Sequence, residues 1–68
     1  MTYGTILRSL RNKKGLSQAE VANSIGLEQW TYSRIESDLT EPKASVLLKF
    51  AKYYEVTIEE LYPPIDFL

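Results

Sequence analysis

Ser17-Gln18-Ala19-Glu20-Val21-Ala22-Asn23-Ser24-Ile25-Gly26-Leu27-Glu28-Gln29-Trp30-Thr31-Tyr32-Ser33-Arg34-Ile35-Glu36 is the stretch that decides the fold. Ser17 and Glu20 make a capping box, in which the serine hydroxyl accepts from the backbone three residues on and the glutamate reaches back to the serine N–H, so a helix begins here. Val21, Ala22 and Ile25 then recur at helical spacing and point inward. Gly26 ends this helix where the turn asks for a positive φ, which glycine adopts without a Cβ penalty. A further helix starts near Glu28 and continues to Ser37, burying Tyr32 and Ile35. Ala22 lies where the two helices approach most closely, and Val21, Ile25, Leu27 and Ile35 occupy the positions that must be apolar to cement the pair.

Outward from this pair, Thr2 to Lys13 reads as a first helix with Ile6, Leu7 and Leu10 on one side, a basic last turn and Gly15 as its stop. Beyond it, Pro42 suits the first turn of a fourth helix that reaches Tyr54, with Leu47, Leu48, Phe50, Ala51 and Tyr54 as its apolar side. Thr57-Ile58-Glu59-Glu60 is a second capping box that opens a short fifth helix, ended by Pro63 and Pro64. No strand, internal repeat or low-complexity stretch is legible. The expected fold is all-α, compact and five-helical, and the spacing of the second and third helices matches a helix-turn-helix.

Composition narrows the chemistry. The chain has 68 residues, which is one domain spanning 1–68, with a core expected over about 3–62 and an apolar tail at 63–68. Hydrophobic residues at 44% and charged residues at 25% are close to ordinary globular usage and suggest neither a disordered tail nor a membrane protein. There is no Cys and no His, so a disulfide framework, a zinc site of the usual type, a hydrolytic triad and a thiol nucleophile are all excluded. The acidic side chains fall on solvated helix faces and not in a pair flanking a cleft, so no enzyme, cofactor or small-molecule ligand is expected. No apolar run approaches a membrane span and no signal-peptide core is present, so the expected address is the cytoplasm. The net charge of −1 hides an asymmetry. Residues 1–34 carry five basic against two acidic side chains, a net +3, and residues 35–68 carry three against seven, a net −4.

The words Leu10-Arg11, Lys14-Gly15-Leu16-Ser17-Gln18-Ala19-Glu20-Val21-Ala22, Ile25-Gly26-Leu27, Ser33-Arg34-Ile35-Glu36, Pro42 and Val56-Thr57-Ile58-Glu59-Glu60-Leu61 together resemble the Cro and lambda-repressor type helix-turn-helix family, also called the xenobiotic response element family. The resemblance covers Arg11 to Leu61. It implies a five-helix domain that docks its third helix in the major groove of double-stranded DNA, usually as a homodimer on an operator with related half-sites. Position by position, it implies phosphate contacts for Ser17 and Gln18 and base-edge positions for Gln29, Trp30, Ser33 and Arg34, with Thr31 beside them near the DNA backbone. Arg34 suits the O6 and N7 of a guanine and Gln29 suits an adenine. Ala22 and Gly26 would be structural, and Arg11 with Glu36 would bridge the first and third helices.

Some positions depart from the family's pattern. Glu28 stands where a Ser or Thr cap is typical, Trp30 is large for a base-reading position, and Tyr32 replaces a branched aliphatic residue. The loop Ser37-Asp38-Leu39-Thr40-Glu41 replaces a segment that commonly holds Asn-Gly and basic residues, leaving Lys43 as the nearest cation. The functional expectation is a sequence-specific DNA-binding transcriptional regulator, a repressor that dimerises through its last helix and the tail Tyr62-Pro63-Pro64-Ile65-Asp66-Phe67-Leu68. The rival is a protein-interaction module, such as an antitoxin-like partner or a helix-turn-helix that has lost DNA binding.

Overall fold

The computed structural model describes residues 2–63. Four α-helices follow one another, α1 (Tyr3–Lys13), α2 (Gln18–Ile25), α3 (Gln29–Glu36) and α4 (Ala44–Tyr54), and a 3₁₀ helix spans Ile58–Leu61. Among the described residues every regular element is helical. The tail named as a dimer contact lies outside the described residues apart from Tyr62 and Pro63.

Three expectations need correction. The fifth segment is a 3₁₀ helix and not an α-helix. Its capping box forms, with the Thr57 N–H donating to Glu60 Oε2 at 2.6 Å, but the backbone closes through i+3 bonds, Glu60 N to Thr57 O at 3.1 Å and Tyr62 N to Glu59 O at 3.2 Å. With Pro63 so close behind, the segment is too short for i+4 bonds to propagate. Pro42 does not enter the first turn of α4, because that helix starts one residue after Lys43, which keeps an extended backbone as its N-cap. Pro42 is buried instead, in a crevice lined by Leu27, Ile35 and Val46. Leu48 is exposed, since the buried stripe of α4 runs through Leu47, Phe50 and Tyr54 and Leu48 lies off that line.

Each α-helix ends in the same way. The chain passes through a left-handed residue whose N–H, with the next one, turns back onto the last carbonyls. At α1 these bonds are Leu16 N to Arg11 O and Gly15 N to Asn12 O, and at α2 they are Leu27 N to Ala22 O and Gly26 N to Asn23 O. Gly15 (φ 67°) and Gly26 (φ 74°) supply the left-handed residue at these two ends. The ends of α3 and α4 use Asp38 (φ 62°) and Glu55 (φ 56°), where a Cβ makes the conformation strained.

Asp38 has a second task that accounts for its presence. Its Oδ2 accepts from the Thr2 hydroxyl at 2.7 Å and its Oδ1 from the Gly4 N–H at 3.0 Å, so the residue that ends α3 also caps the start of α1. These two hydrogen bonds hold the Asp38 carboxyl below the usual carboxylate range. The approach is close enough to require Gly4, because a Cβ there would overlap the Glu36 carbonyl and crowd the Asp38 carboxylate.

Leu7, Val21, Tyr32, Phe50 and Leu61 form the centre of the core, with Ala22 buried at the α2 crossing. Tyr32 fills its place with an aromatic ring set against Phe50, centroids 5.7 Å apart, and Phe50 stacks on Tyr54 at 6.3 Å. The Tyr32 and Tyr54 hydroxyls are buried without a hydrogen-bond partner. Burial first, and the neighbouring Glu36 and Tyr54 after it, push the Tyr32 hydroxyl far above the ordinary phenol range, so it stays protonated.

Candidate nucleic-acid interface

One carboxylate joins the three N-terminal helices. Glu36, at the last position of α3, is only 1% exposed and is the one buried charged residue among those described. Arg11 of α1 donates to it twice, Nε to Oε2 at 2.6 Å and Nη2 to Oε1 at 3.1 Å. Gln18, the first residue of α2, donates from Nε2 to Oε1 at 3.1 Å. Arg8 adds a longer contact, Nε to Oε1 at 3.4 Å, and its Nη2 reaches the Glu36 carbonyl at 3.1 Å. Burial alone would raise the Glu36 pKa, but hydrogen bonds led by Arg11 outweigh it and hold the carboxyl below its usual range. Arg11 also binds the Leu16 carbonyl through Nη1 at 2.9 Å, which fixes the α1–α2 turn beside the start of α2.

This hub sets the attitude of α3. Tyr32, Ile35 and Glu36 face inward and are buried, whereas Gln29, Trp30 and Arg34 are exposed and Thr31 and Ser33 half-buried. At 3.6 residues per turn, Gln29, Trp30, Ser33 and Arg34 fall within an arc of about 140°, on the side away from the core. Trp30 is 66% exposed, so its ring is presented outward and not packed on the domain. Glu28 occupies the N-cap of α3 with no side-chain cap bond. The first backbone N–H groups of α3 therefore lack a side-chain acceptor.

The start of α2 lies on the same hub. Ser17 Oγ accepts from the Glu20 N–H at 3.1 Å, and the Ser17 N–H donates to Glu20 Oε1 at 3.0 Å, completing the capping box. The bond from the Ser17 N–H, first among the causes, holds the exposed Glu20 carboxyl below its usual range. The hydroxyl proton of Ser17 and the second amide proton of Gln18 are left free to donate outward. Lys43 is exposed at the N-cap of α4 and lines the Pro42 crevice together with Thr31 of α3. Thus Ser17, Gln18, Arg11 and Glu36 are brought together, Gln29, Trp30, Ser33 and Arg34 share the outer side of α3, and Lys43 lines one crevice with Thr31.

Sequence reasoning missed Arg8, Thr2, Asp38 and Thr40. Arg8 lies three residues before Arg11 and so on the same helix face, a spacing that was legible. Asp38 and Thr2 are 36 positions apart, and no local pattern links them. Thr40 accepts from Arg34 Nε at 3.3 Å.

A family model described as helix-turn-helix matches residues 7–61. The chain belongs to the Cro and lambda-repressor type helix-turn-helix family. It is 41% identical over 59 residues to the cryptic phage CTXphi transcriptional repressor RstR of Vibrio cholerae, a match that covers 87% of this chain and 53% of RstR. The chain thus spans about half the length of that relative. Among solved structures, it resembles the restriction-modification controller protein C.AhdI from Aeromonas hydrophila, with a TM-score of 0.82, 32% identity, and 88% and 91% of the two chains covered. It is also similar to the N-terminal DNA binding domain of SinR from Bacillus subtilis, with a TM-score of 0.80, 28% identity and 87% of each chain covered. In this family member the matched region runs from the core of α1 to the 3₁₀ helix, and so includes the whole Glu36 hub. No helix among the described residues is long and apolar enough to cross a membrane.

Proposed function

We propose that this protein is a sequence-specific double-stranded DNA-binding regulator of transcription, acting as a repressor and as a homodimer that sets α3 in the major groove of two half-sites. One observation carries the reading. The buried Glu36 hub fixes α3 so that Gln29, Trp30 and Arg34 all stand exposed on one side, with the capped start of α2 beside them. That arrangement pairs a base-reading face with an anion-accepting helix terminus, and residues 1–36, which hold these three helices, carry five basic against three acidic side chains, a net +2. The relatives named as a repressor, a controller protein and a DNA binding domain support the same reading.

In this mechanism Ser17 donates its hydroxyl proton, and Gln18 its second amide proton, to a phosphate oxygen, which sets depth and register. Arg34 forks onto a guanine, Gln29 pairs with an adenine, and Trp30 presses its ring on a thymine methyl, while Thr31, Ser33 and Lys43 contribute at the margins. The carboxylates of Glu28 and Glu41 sit near the same surface, so binding is weaker than for a strongly basic regulator, at about three to five effective phosphate contacts for the dimer. The test is a selection of bound duplexes from a randomised pool. Recovery of a two-fold related sequence supports the reading, and recovery of no sequence preference overturns it.

A further inference from the structure

Arg34 is the one exposed arginine of α3, and its side chain pairs with no carboxylate among the described residues. Its guanidinium donates from Nε to Thr40 Oγ1 at 3.3 Å. Thr40 lies six residues on, in the loop that leaves α3. The path to it is tied down at three points. Leu39 N–H folds back onto the Arg34 carbonyl at 2.9 Å, Asp38 N–H onto Ile35 at 3.1 Å, and the Asp38 carboxylate is fastened to Thr2 and Gly4 of α1. Beyond Thr40 the chain is fixed again by buried Pro42. Thr40 is β-branched, so its χ1 is stiff and its hydroxyl is presented in few directions.

We propose that Thr40 is a positioning residue for Arg34, holding the guanidinium by its Nε so that the Nη1 and Nη2 end stays free for a guanine edge. A guanidinium carries five N–H donors in a rigid planar fork. Engaging Nε leaves the four terminal protons, and the two that point outward in parallel match the O6 and N7 acceptors of guanine. A long exposed side chain otherwise loses rotamer freedom when it binds, and a hydroxyl that already holds it lowers that loss. The inference rests on the base-reading role of Arg34 in the proposed function. It adds a residue outside the recognition helix that sets specificity without touching a base.

The experiment compares the wild type, Thr40→Val, Thr40→Ala, Thr40→Ser and Arg34→Ala on the best duplex recovered from the randomised pool and on its single-base-pair variants. Arg34→Ala should level the affinities at one base pair per half-site. Thr40→Val and Thr40→Ala should each reduce discrimination at that same base pair by about three- to tenfold, the size of one net hydrogen bond, with discrimination elsewhere unchanged. Thr40→Ser keeps a hydroxyl and should retain it, and Thr40→Val should have no further effect in the Arg34→Ala background. Two hydroxyl-free variants are used so that a packing fault peculiar to valine does not decide the outcome. If Arg34→Ala levels that position while both hydroxyl-free variants keep full discrimination, or lose affinity equally for every duplex, the role of Thr40 is overturned and that of Arg34 stands. If Arg34→Ala discriminates as the wild type does, the base-reading assignment falls and the Thr40 inference falls with it.

Discussion

Replacing Glu36 by alanine tests the hub on which the interface is built. The carboxylate is 1% exposed and takes two hydrogen bonds from Arg11 and one from Gln18. Removing one partner of a buried pair costs about 3 to 5 kcal/mol, because it strands the other charge. Here Arg11 is 15% exposed and keeps the Leu16 carbonyl, and Arg8 is about half exposed and can turn to water. Those outlets place the expected loss at the lower end, about 3 kcal/mol. For a chain of this length the whole stability is about 3 to 10 kcal/mol, so Glu36→Ala should retain about 0 to 7 kcal/mol and unfold at a markedly lower urea concentration, reaching about half unfolded in water only at the bottom of that range. The companion variant Arg11→Met with Glu36→Leu removes both charges and should recover most of the loss, since a buried pair replaced by apolar groups is often neutral. Urea unfolding followed by far-ultraviolet circular dichroism measures both. A change within about 0.5 kcal/mol for Glu36→Ala would refute the hub, as it would make Glu36 an ordinary surface charge.

Further expectations follow from the helix ends and the same carboxylate. Gly4→Ala drives a Cβ into the Glu36 carbonyl and should lower stability in urea by about 1 to 3 kcal/mol. Glu55→Gly relieves an exposed left-handed residue and should raise stability by about 0.5 to 1 kcal/mol, seen as a higher urea midpoint. Asp38→Gly relieves the same strain but removes the cap of α1, so it should lower the midpoint, and equal gains in the two variants would deny the cap its role. The Glu36 pKa is lower in the folded than in the unfolded chain, so its contribution is present above the ordinary glutamate value of about 4.3 and is lost as pH falls through the folded value. Stability should therefore drop on acidification below that point. Glu36→Gln should flatten the drop in part, because Glu20 and Asp38 are also held low and add to the slope.

The parts of the structure that were legible in the sequence are those fixed by local pattern. The capping boxes at Ser17 and Thr57 form as read, and so do the apolar spacing of α1 and α2 and the left-handed turn at Gly26. The left-handed ends at Asp38 and Glu55 were hidden, because neither is a glycine and the strain at Asp38 is offset by contacts with α1, far off in the chain. Thr57 read correctly as a cap, but a cap marks a start and not a helix type, and the prolines that follow left room only for a 3₁₀ helix. Leu48 was misplaced because a run of apolar residues does not show which side of α4 meets the core. The outward positions of α3 were legible from helical spacing, whereas the connections of the Glu36 hub were not. Gln18 was read only as an outward donor, and its inward bond to Glu36 depends on the crossing of α2 and α3, a tertiary quantity.

The central claim is that α3 reads DNA sequence, and Trp30 offers a direct measurement of it. The ring is 66% exposed and lies on the side of α3 assigned to the groove, so binding should shield it from water and shift or quench its emission. Titration with the duplex recovered by selection, and with a scrambled duplex of the same length, should give saturable curves for both. The account predicts an affinity for the selected duplex greater by about a thousandfold or more, weakening with salt at roughly 0.9 per phosphate contact on logarithmic axes. One affinity for both duplexes, or emission that does not change while the protein is bound, would contradict it.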